Sequence, residues 1–182
     1  MPALNFTSFP QLMTEHLLLR RLSEADAHDI LMLRSNEQVN QFLDRPACID
    51  LEAAKNFIAK IEKGIANNES LYWVITLKGN DKLIGTICLW NFEADKMQAE
   101  IGFELHPDFQ GKGVMQETIA KVIDYSFSEL KLSVITGLTN PANLLSIKVL
   151  ERNNFLRDEN YTWVNKEDAE DLVVFYLLAS GK

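Results

Sequence analysis

Two cysteines, Cys48 and Cys88, are all that the chain contains. They lie far apart and form no CxxC pair, which excludes a disulfide framework and makes a reducing cytoplasm the expected compartment. Cys88, within LIGTICLW, reads as a small core residue. Long apolar runs are missing as well. The longest, LVVFYLLA near the C-terminus, is too short to span a bilayer, and MPALNFTSFPQL lacks a basic segment followed by an apolar one, so no membrane partner is expected. Positive charge is in deficit: 18 Lys and Arg face 26 Asp and Glu, for a formal charge of −8. That balance argues against a nucleic-acid partner and leans towards a cationic substrate or plain solubility. No repeat, low-complexity tract or Pro/Ser-rich linker divides the chain, so one domain over residues 1–182 is expected, long enough to bury its own core.

What is present reads as alternating β and α patterns. HLLLRRL (16–22) is a first strand, after which Ser23 can cap a helix carrying Ile30, Leu31 and Leu33. Asp50 caps a second helix, in which Ala54, Phe57, Ile58 and Ile61 recur at helical spacing. SLYWVITLK and LIGTICLW flank the polar turn GNDK as a hairpin. MQAEIGFEL follows with period-two alternation: Ala99, Ile101, Phe103 and Leu105 on one face, Glu100, Gly102 and Glu104 on the other. A long helix then carries Met115, Ile119, Val122, Ile123 and Phe127 as one stripe. LSVITGLT is a strand, and Asn140 and Pro141 fit the N-cap and first position of another helix, which stops at Asn153-Asn154. Two last strands, about 155–165 and 172–179, flank the acidic loop KEDAED. The order β-αα-βββ-α-β-α-ββ implies an α/β (α+β) chain: one mixed, mostly antiparallel, seven-stranded sheet with helices on both faces.

HPDFQGKGVMQETI holds two glycines one residue apart, where a strand gives way to a helix. A helix N-terminus offers unpaired N–H groups and about half a positive charge, and glycines let an anion approach them. A plain turn would look the same. Two nucleotide motifs fail: GxxxxGK[ST] is absent, and GxGxxG ends on Gln116. His106 has no second ligand at suitable spacing, so it reads as loop structure and no metal is expected.

The stretch Gln110, Gly111, Lys112, Gly113, Val114, Met115 is similar to the acyl-CoA loop [Q/R]-x-x-G-x-[G/A]. With TEHLLLRRLSEADA before it and NPANLLSIKVLERNNF behind it, the chain resembles the GNAT acetyltransferases, and within them the RimJ/RimL branch of protein N-terminal acetyltransferases. The resemblance implies a GNAT fold and acetyl-CoA as cosubstrate, its pyrophosphate on Gln110 to Met115 and its pantetheine along Phe103, Glu104 and Leu105. It also implies coenzyme contacts from Asn140, Asn143 and Ser146. Met115 departs from the small residue of the pattern: turned into the core it would spare the backbone site, turned outwards it would weaken coenzyme binding. Leu150 stands where many members carry a tyrosine acid, which leucine cannot replace, and Ser146 is the implied general acid. Glu100 matches the general base of some relatives, although a glutamate alternating with apolar residues is also what the wet side of a strand shows. Glu104 is the fallback, for binding a cationic amine.

The implied reaction is direct transfer of acetyl to a primary amine. An α-amine with a pKa of about 7.8 is roughly 14% neutral at pH 7, a lysine near 10.4 only about 0.04%, so a weak base suits the former. A protein N-terminus, for instance that of a ribosomal protein, is the expected acceptor. A small amine (polyamine, aminoglycoside or amino acid), or a coenzyme-binding module without turnover, are the alternatives. The helices between Ser23 and Gly64 and the loop 166–171 would wall the acceptor site. A monomer or homodimer is expected.

Overall fold

β-branched and aromatic runs separated by turns, and amphipathic runs begun by capping side chains, dictate most of the elements. The computed structural model of the chain describes residues 6, 8–159 and 172–179. Its strands are β1 (Leu12–Met13), β2 (Leu17–Arg21), β3 (Leu71–Leu77), β4 (Gly85–Glu93), β5 (Gln98–Leu105), β6 (Val134–Thr139), β7 (Leu156–Arg157) and β8 (Val173–Leu178). Its helices are α1 (Ala27–Ser35), α2 (Glu37–Asn40), α3 (Leu51–Ala66), α4 (Val114–Ser128) and α5 (Leu144–Arg152). The strands form one sheet in the order β1-β2-β3-β4-β5-β6-β8-β7. β5 and β6 are parallel, and the other neighbouring pairs are antiparallel.

The sheet thus has eight strands among the described residues, one more than the pattern implies. The addition, β1, is a two-residue edge strand on β2, too short to carry a period. Of the strand expected over 155–165, residues 156–157 pair with β8, and its end, like the loop 166–171, lies outside the described residues.

Two adjacent residues of β3 show how the layers are arranged. Side chains alternate across a strand, so Tyr72 and Trp73 leave the sheet on opposite faces. Tyr72 meets Phe57 of α3 edge to face at 5.8 Å, and Trp73 meets Tyr125 of α4 at 5.9 Å. α3 therefore covers one face and α4 the other. Six of the seven β3 residues are buried, which is why LYWVIT reads as an unbroken apolar run.

Asp50 caps α3, its carboxylate accepting the Ala53 N–H at 2.7 Å. The expected cap at Asn140 is corrected. Its side chain accepts the Ala142 N–H at 2.9 Å and closes a turn, whereas α5 begins at Leu144 with Asn143 as its cap, accepting the Ser146 N–H at 3.1 Å. Pro141 belongs to that turn; a local Asx bond competes with helix initiation and here it prevails. α5 ends where expected, with Asn154 in the left-handed region at φ 63°.

Candidate active site

β5 provides the floor. Its register with β4 pairs Trp90 with Glu100, Cys88 with Gly102 and Thr86 with Glu104, and then slips between Trp90 and Glu93. The slip is a bulge in β4. Asn91 sits in it at φ 48°, a conformation that asparagine tolerates, and its amide donates to Glu100 Oε2 at 3.1 Å. Burial raises the pKa of Glu100 above the ordinary carboxylate value, while hydrogen bonds from Asn91 and Trp90 hold it back. A half-buried carboxylate of this kind is a stronger base than a surface glutamate. Asn91 is absent from the sequence reading; an asparagine inside the run CLWNFE was the only trace of it.

The parallel ladder between β5 and β6 is short. It pairs Gln98 with Val134, Ala99 with Ile135 and Glu100 with Thr136, and stops. β5 runs on to Leu105 and β6 to Thr139 without further pairing to each other. Two strands that part inside a sheet leave main-chain N–H and C=O groups facing an opening, a place where an extended ligand can pair as an added strand.

The glycine turn lies past the C-terminal end of β5. Pro107–Phe109 form a 3-10 turn, and Gln110 Nε2 donates to the Leu105 carbonyl at 3.0 Å, tying the loop back to the strand. Gly111 and Gly113 have φ of 72° and 81°, and a Cβ on either would meet no atom within 4 Å. The left-handed backbone explains the glycines, and the space above them is open. The α4 ladder begins with Glu117 N–H on the Gly113 carbonyl, so the N–H groups ahead of it have no partner within the helix. Val114 and Met115 are buried, and Met115 belongs to the same core as Ile119. Its side chain is therefore turned away from the loop surface. His106 is part of this turn, its Nδ1 accepting the Asp108 N–H at 3.3 Å.

α5 closes the other face. Leu150 is fully buried, and its Cδ2 would lie 3.2 Å from a Cβ on Gly137 of β6; Cγ2 of Ile101 of β5 would lie 3.4 Å from it. Gly137 thus lets the helix lie close where β5 and β6 begin to part. Ser146, half-buried, sits one turn before Leu150 on the same side of α5. Glu100 belongs to the face covered by α3, and α5 packs on the opposite face, that of Ile101.

This fold has counterparts among known proteins. The model of the acetyltransferase (GNAT) domain family matches residues 16–156. The chain belongs to the GNAT acetyltransferase family. As a GNAT protein it is an N-acetyltransferase. Uncharacterized N-acetyltransferase p20 of Bacillus licheniformis is 30% identical over 147 residues, 81% of this chain and 83% of its own length. Ribosomal-protein-S5-alanine acetyltransferase of Vibrio fischeri aligns with a TM-score of 0.78 at 22% identity, over 94% of this chain and 98% of that one. Spermidine N-acetyltransferase of Vibrio cholerae, in complex with CoA and spermine, aligns with a TM-score of 0.75 at 22% identity, over 91% and 96%. At such identities the two structures share the GNAT fold with this chain.

Glu104, the fallback for binding a cationic amine, is engaged within the protein. Arg45 binds one oxygen at 2.5 Å, and the other accepts from Thr86 Oγ1 at 3.2 Å with Arg34 at 3.6 Å. Arg45 also donates to Asn40 Oδ1, at 3.0 and 2.9 Å, so the segment after α1 is fastened to the floor of the site. Beside this group the Tyr72 hydroxyl is buried close to Thr86. Burial, then the charge of Glu104, push its pKa well above the ordinary value, with Thr86 opposing. No helix among the described residues is long and apolar enough to cross a membrane.

Proposed function

We propose that this N-acetyltransferase takes acetyl from acetyl-CoA and delivers it to an α-amine, in the first place the N-terminus of a protein such as a ribosomal protein, in the manner of the RimJ/RimL branch, in the cytoplasm. The single observation that carries the reading is the parting of β5 from β6 after Glu100 and Thr136, next to the open glycine turn.

The residues present fit the cosubstrate. Unpaired N–H groups at the start of α4, with Gln110, Gly111, Lys112, Gly113, Val114 and Met115 around them, would hold its pyrophosphate. The burial of Met115 leaves that surface to the backbone. The edge of β5 over Phe103, Glu104 and Leu105 would pair with pantetheine, and Asn140, Asn143 and Ser146 would border it. When bound, acetyl-CoA supplies an acyl group activated as a thioester. Glu100 would take the proton of the incoming amine, directly or through one water, and the Ser146 hydroxyl would give one to the departing sulfur.

Charge supports an α-amine as the acceptor. A polyamine site needs free carboxylates, but both oxygens of Glu104 are taken, and two arginines outnumber it. An α-amine is largely accessible to a modest base at neutral pH, whereas lysine is not. The test is thiol release from acetyl-CoA with peptides of varied first residue, spermidine, an aminoglycoside and a lysine side-chain amine. Release with peptides supports the reading; release with spermidine alone moves the acceptor to polyamines, and coenzyme binding without any release leaves a binding module.

A further inference from the structure

Trp90 and Asn91 are neighbours in β4, yet the side chains of both hydrogen-bond the carboxylate of Glu100. Regular alternation forbids this, because adjacent residues of a strand point to opposite faces. Trp90 stands opposite Glu100 and shares its face, so an unbroken β4 would turn Asn91 to the other one. The slip in pairing after Trp90 re-aims it. At φ 48° its side chain comes back towards β5, where Nδ2 donates to Glu100 Oε2 at 3.1 Å. Gly102 makes room for the indole, since a Cβ there would meet Trp90 Nε1 at 3.8 Å and Cys88 Sγ at 3.1 Å.

This arrangement is costly. A bulge disrupts the ladder, and the left-handed region is unfavourable for any residue but glycine, although asparagine lessens the penalty. Backbone of this kind concentrates at active sites. Asn91 is exposed, so no burial of its side chain offsets the cost. What the bulge achieves is a second donor on a half-buried carboxylate. A carboxylate accepts at about four sites, so two donors leave room for the proton of an amine. Among the described residues, none of the titratable groups around Glu100 bonds it. Glu93 of β4 is held by Lys96 and Gln98, and Glu104 of β5 by Arg45 and Thr86. Burial pushes the Cys88 thiol of β4 up to about 12, and Tyr176 of β8 lies beyond Thr136. On α3, Lys55 and Glu62 pair with Glu24 and Arg21, while Glu52, Lys60 and Lys63 are exposed.

We propose that Asn91 is a positioning residue of the acetyl transfer, fixing the Glu100 carboxylate in one orientation so that it meets the incoming amine as a base. This rests on Glu100 acting as the base and adds the group that aims it. The same hydrogen bond favours the ionised carboxylate. Without it the folded-state pKa is higher, and Glu100 becomes a base only at higher pH.

The test follows thiol release across pH with the fastest acceptor of the panel above, in the parent, Asn91→Gly and Asn91→Asp, each with Glu100 intact and with Glu100→Gln. Glycine keeps the left-handed backbone and removes the amide; aspartate keeps the shape and sets a second carboxylate against the first. Asn91→Gly is expected to lower kcat at neutral pH by about tenfold, the range of a hydrogen bond to a charged group, with the acceptor KM changed by less than about threefold. Its acid limb moves to higher pH, and that of Asn91→Asp moves further. Beside Glu100→Gln the loss from Asn91→Gly shrinks to about twofold or less, because no charge remains for the amide to hold. Should Asn91→Gly not fold, Asn91→Asp carries the comparison, since aspartate also tolerates this backbone. The parent's kcat and acid limb in Asn91→Gly, a change confined to KM, or an equal loss beside Glu100→Gln overturns the proposal alone. Glu100→Gln at the parent's rate, or no release with any acceptor, overturns it together with the base assignment beneath it.

Discussion

Glu100 and Thr136 form the last rung of the ladder that joins β5 to β6. On one side of this rung the sheet is closed; on the other it opens over residues 101–105, and the carboxylate at the boundary is the one whose pKa burial raises. The raised carboxylate pKa and the point where the two strands part thus coincide at one residue.

Replacing Glu100 by Gln should lower kcat by about 10²–10⁴-fold, the usual contribution of a positioned base, with little change in coenzyme affinity. Thiol-release kinetics and calorimetry separate the two. Equal losses in both would assign Glu100 to binding.

The same residue should leave a mark on stability. A raised folded-state pKa means that the native protein holds this proton more tightly than the unfolded chain. The stabilisation is complete below the unfolded value and is lost as pH rises through the folded value. The melting temperature of Glu100→Gln, relative to the parent, should therefore rise as pH climbs from the ordinary carboxylate range through the raised folded value. Thermal melts across that range check the sign, and a difference that falls with pH would contradict it.

Ser146→Ala should reduce turnover by about tenfold or more while the coenzyme dissociation constant stays within about threefold, since Asn143 caps α5 by accepting the Ser146 backbone N–H and not its hydroxyl. An unchanged rate at every pH removes Ser146 as the acid.

Much of this was legible because it is local. The period of MQAEIGFEL puts Glu100, Gly102 and Glu104 on one face, and the stripe from Met115 to Phe127 marks α4 without reference to the rest of the chain. The glycine turn was legible because left-handed backbone restricts residue choice. What escaped depends on partners distant in sequence or on competition between near-equal options. Arg34 and Arg45 reach Glu104 across the fold, and no spacing announces it. The bulge that brings Asn91 to Glu100 comes from a slip in pairing, which a single strand's pattern cannot record. Asn140 and Asn143 are both good caps, and the Asx turn at Asn140 decided between them. β1 is two residues long and exists only because β2 offers an edge.

Gly111→Ala and Gly113→Ala should each cost about 1–2 kcal/mol, the penalty of a left-handed L-residue, because no neighbour contributes a clash. Denaturant melts measure this. Coenzyme affinity should fall by about tenfold at Gly113, whose missing side chain opens the way to the first turn of α4.

Gly85→Ala is a different case. A Cβ there would stand 2.6 Å from the Glu104 carbonyl and 2.8 Å from Leu105 Cδ1, so β4 and β5 must part. A loss of about 1–3 kcal/mol is expected, together with a weakened Glu104–Arg45 contact. Melting with and without coenzyme A separates the structural cost from the loss of site geometry.

Amide hydrogen exchange with and without coenzyme A tests the central claim most directly. Protection confined to residues 101–105 and the stretch 111–116 is the result expected if the coenzyme lies in the opening between β5 and β6 with its pyrophosphate on the start of α4. Unchanged exchange in both stretches at millimolar coenzyme, or protection elsewhere in the sheet, would contradict it.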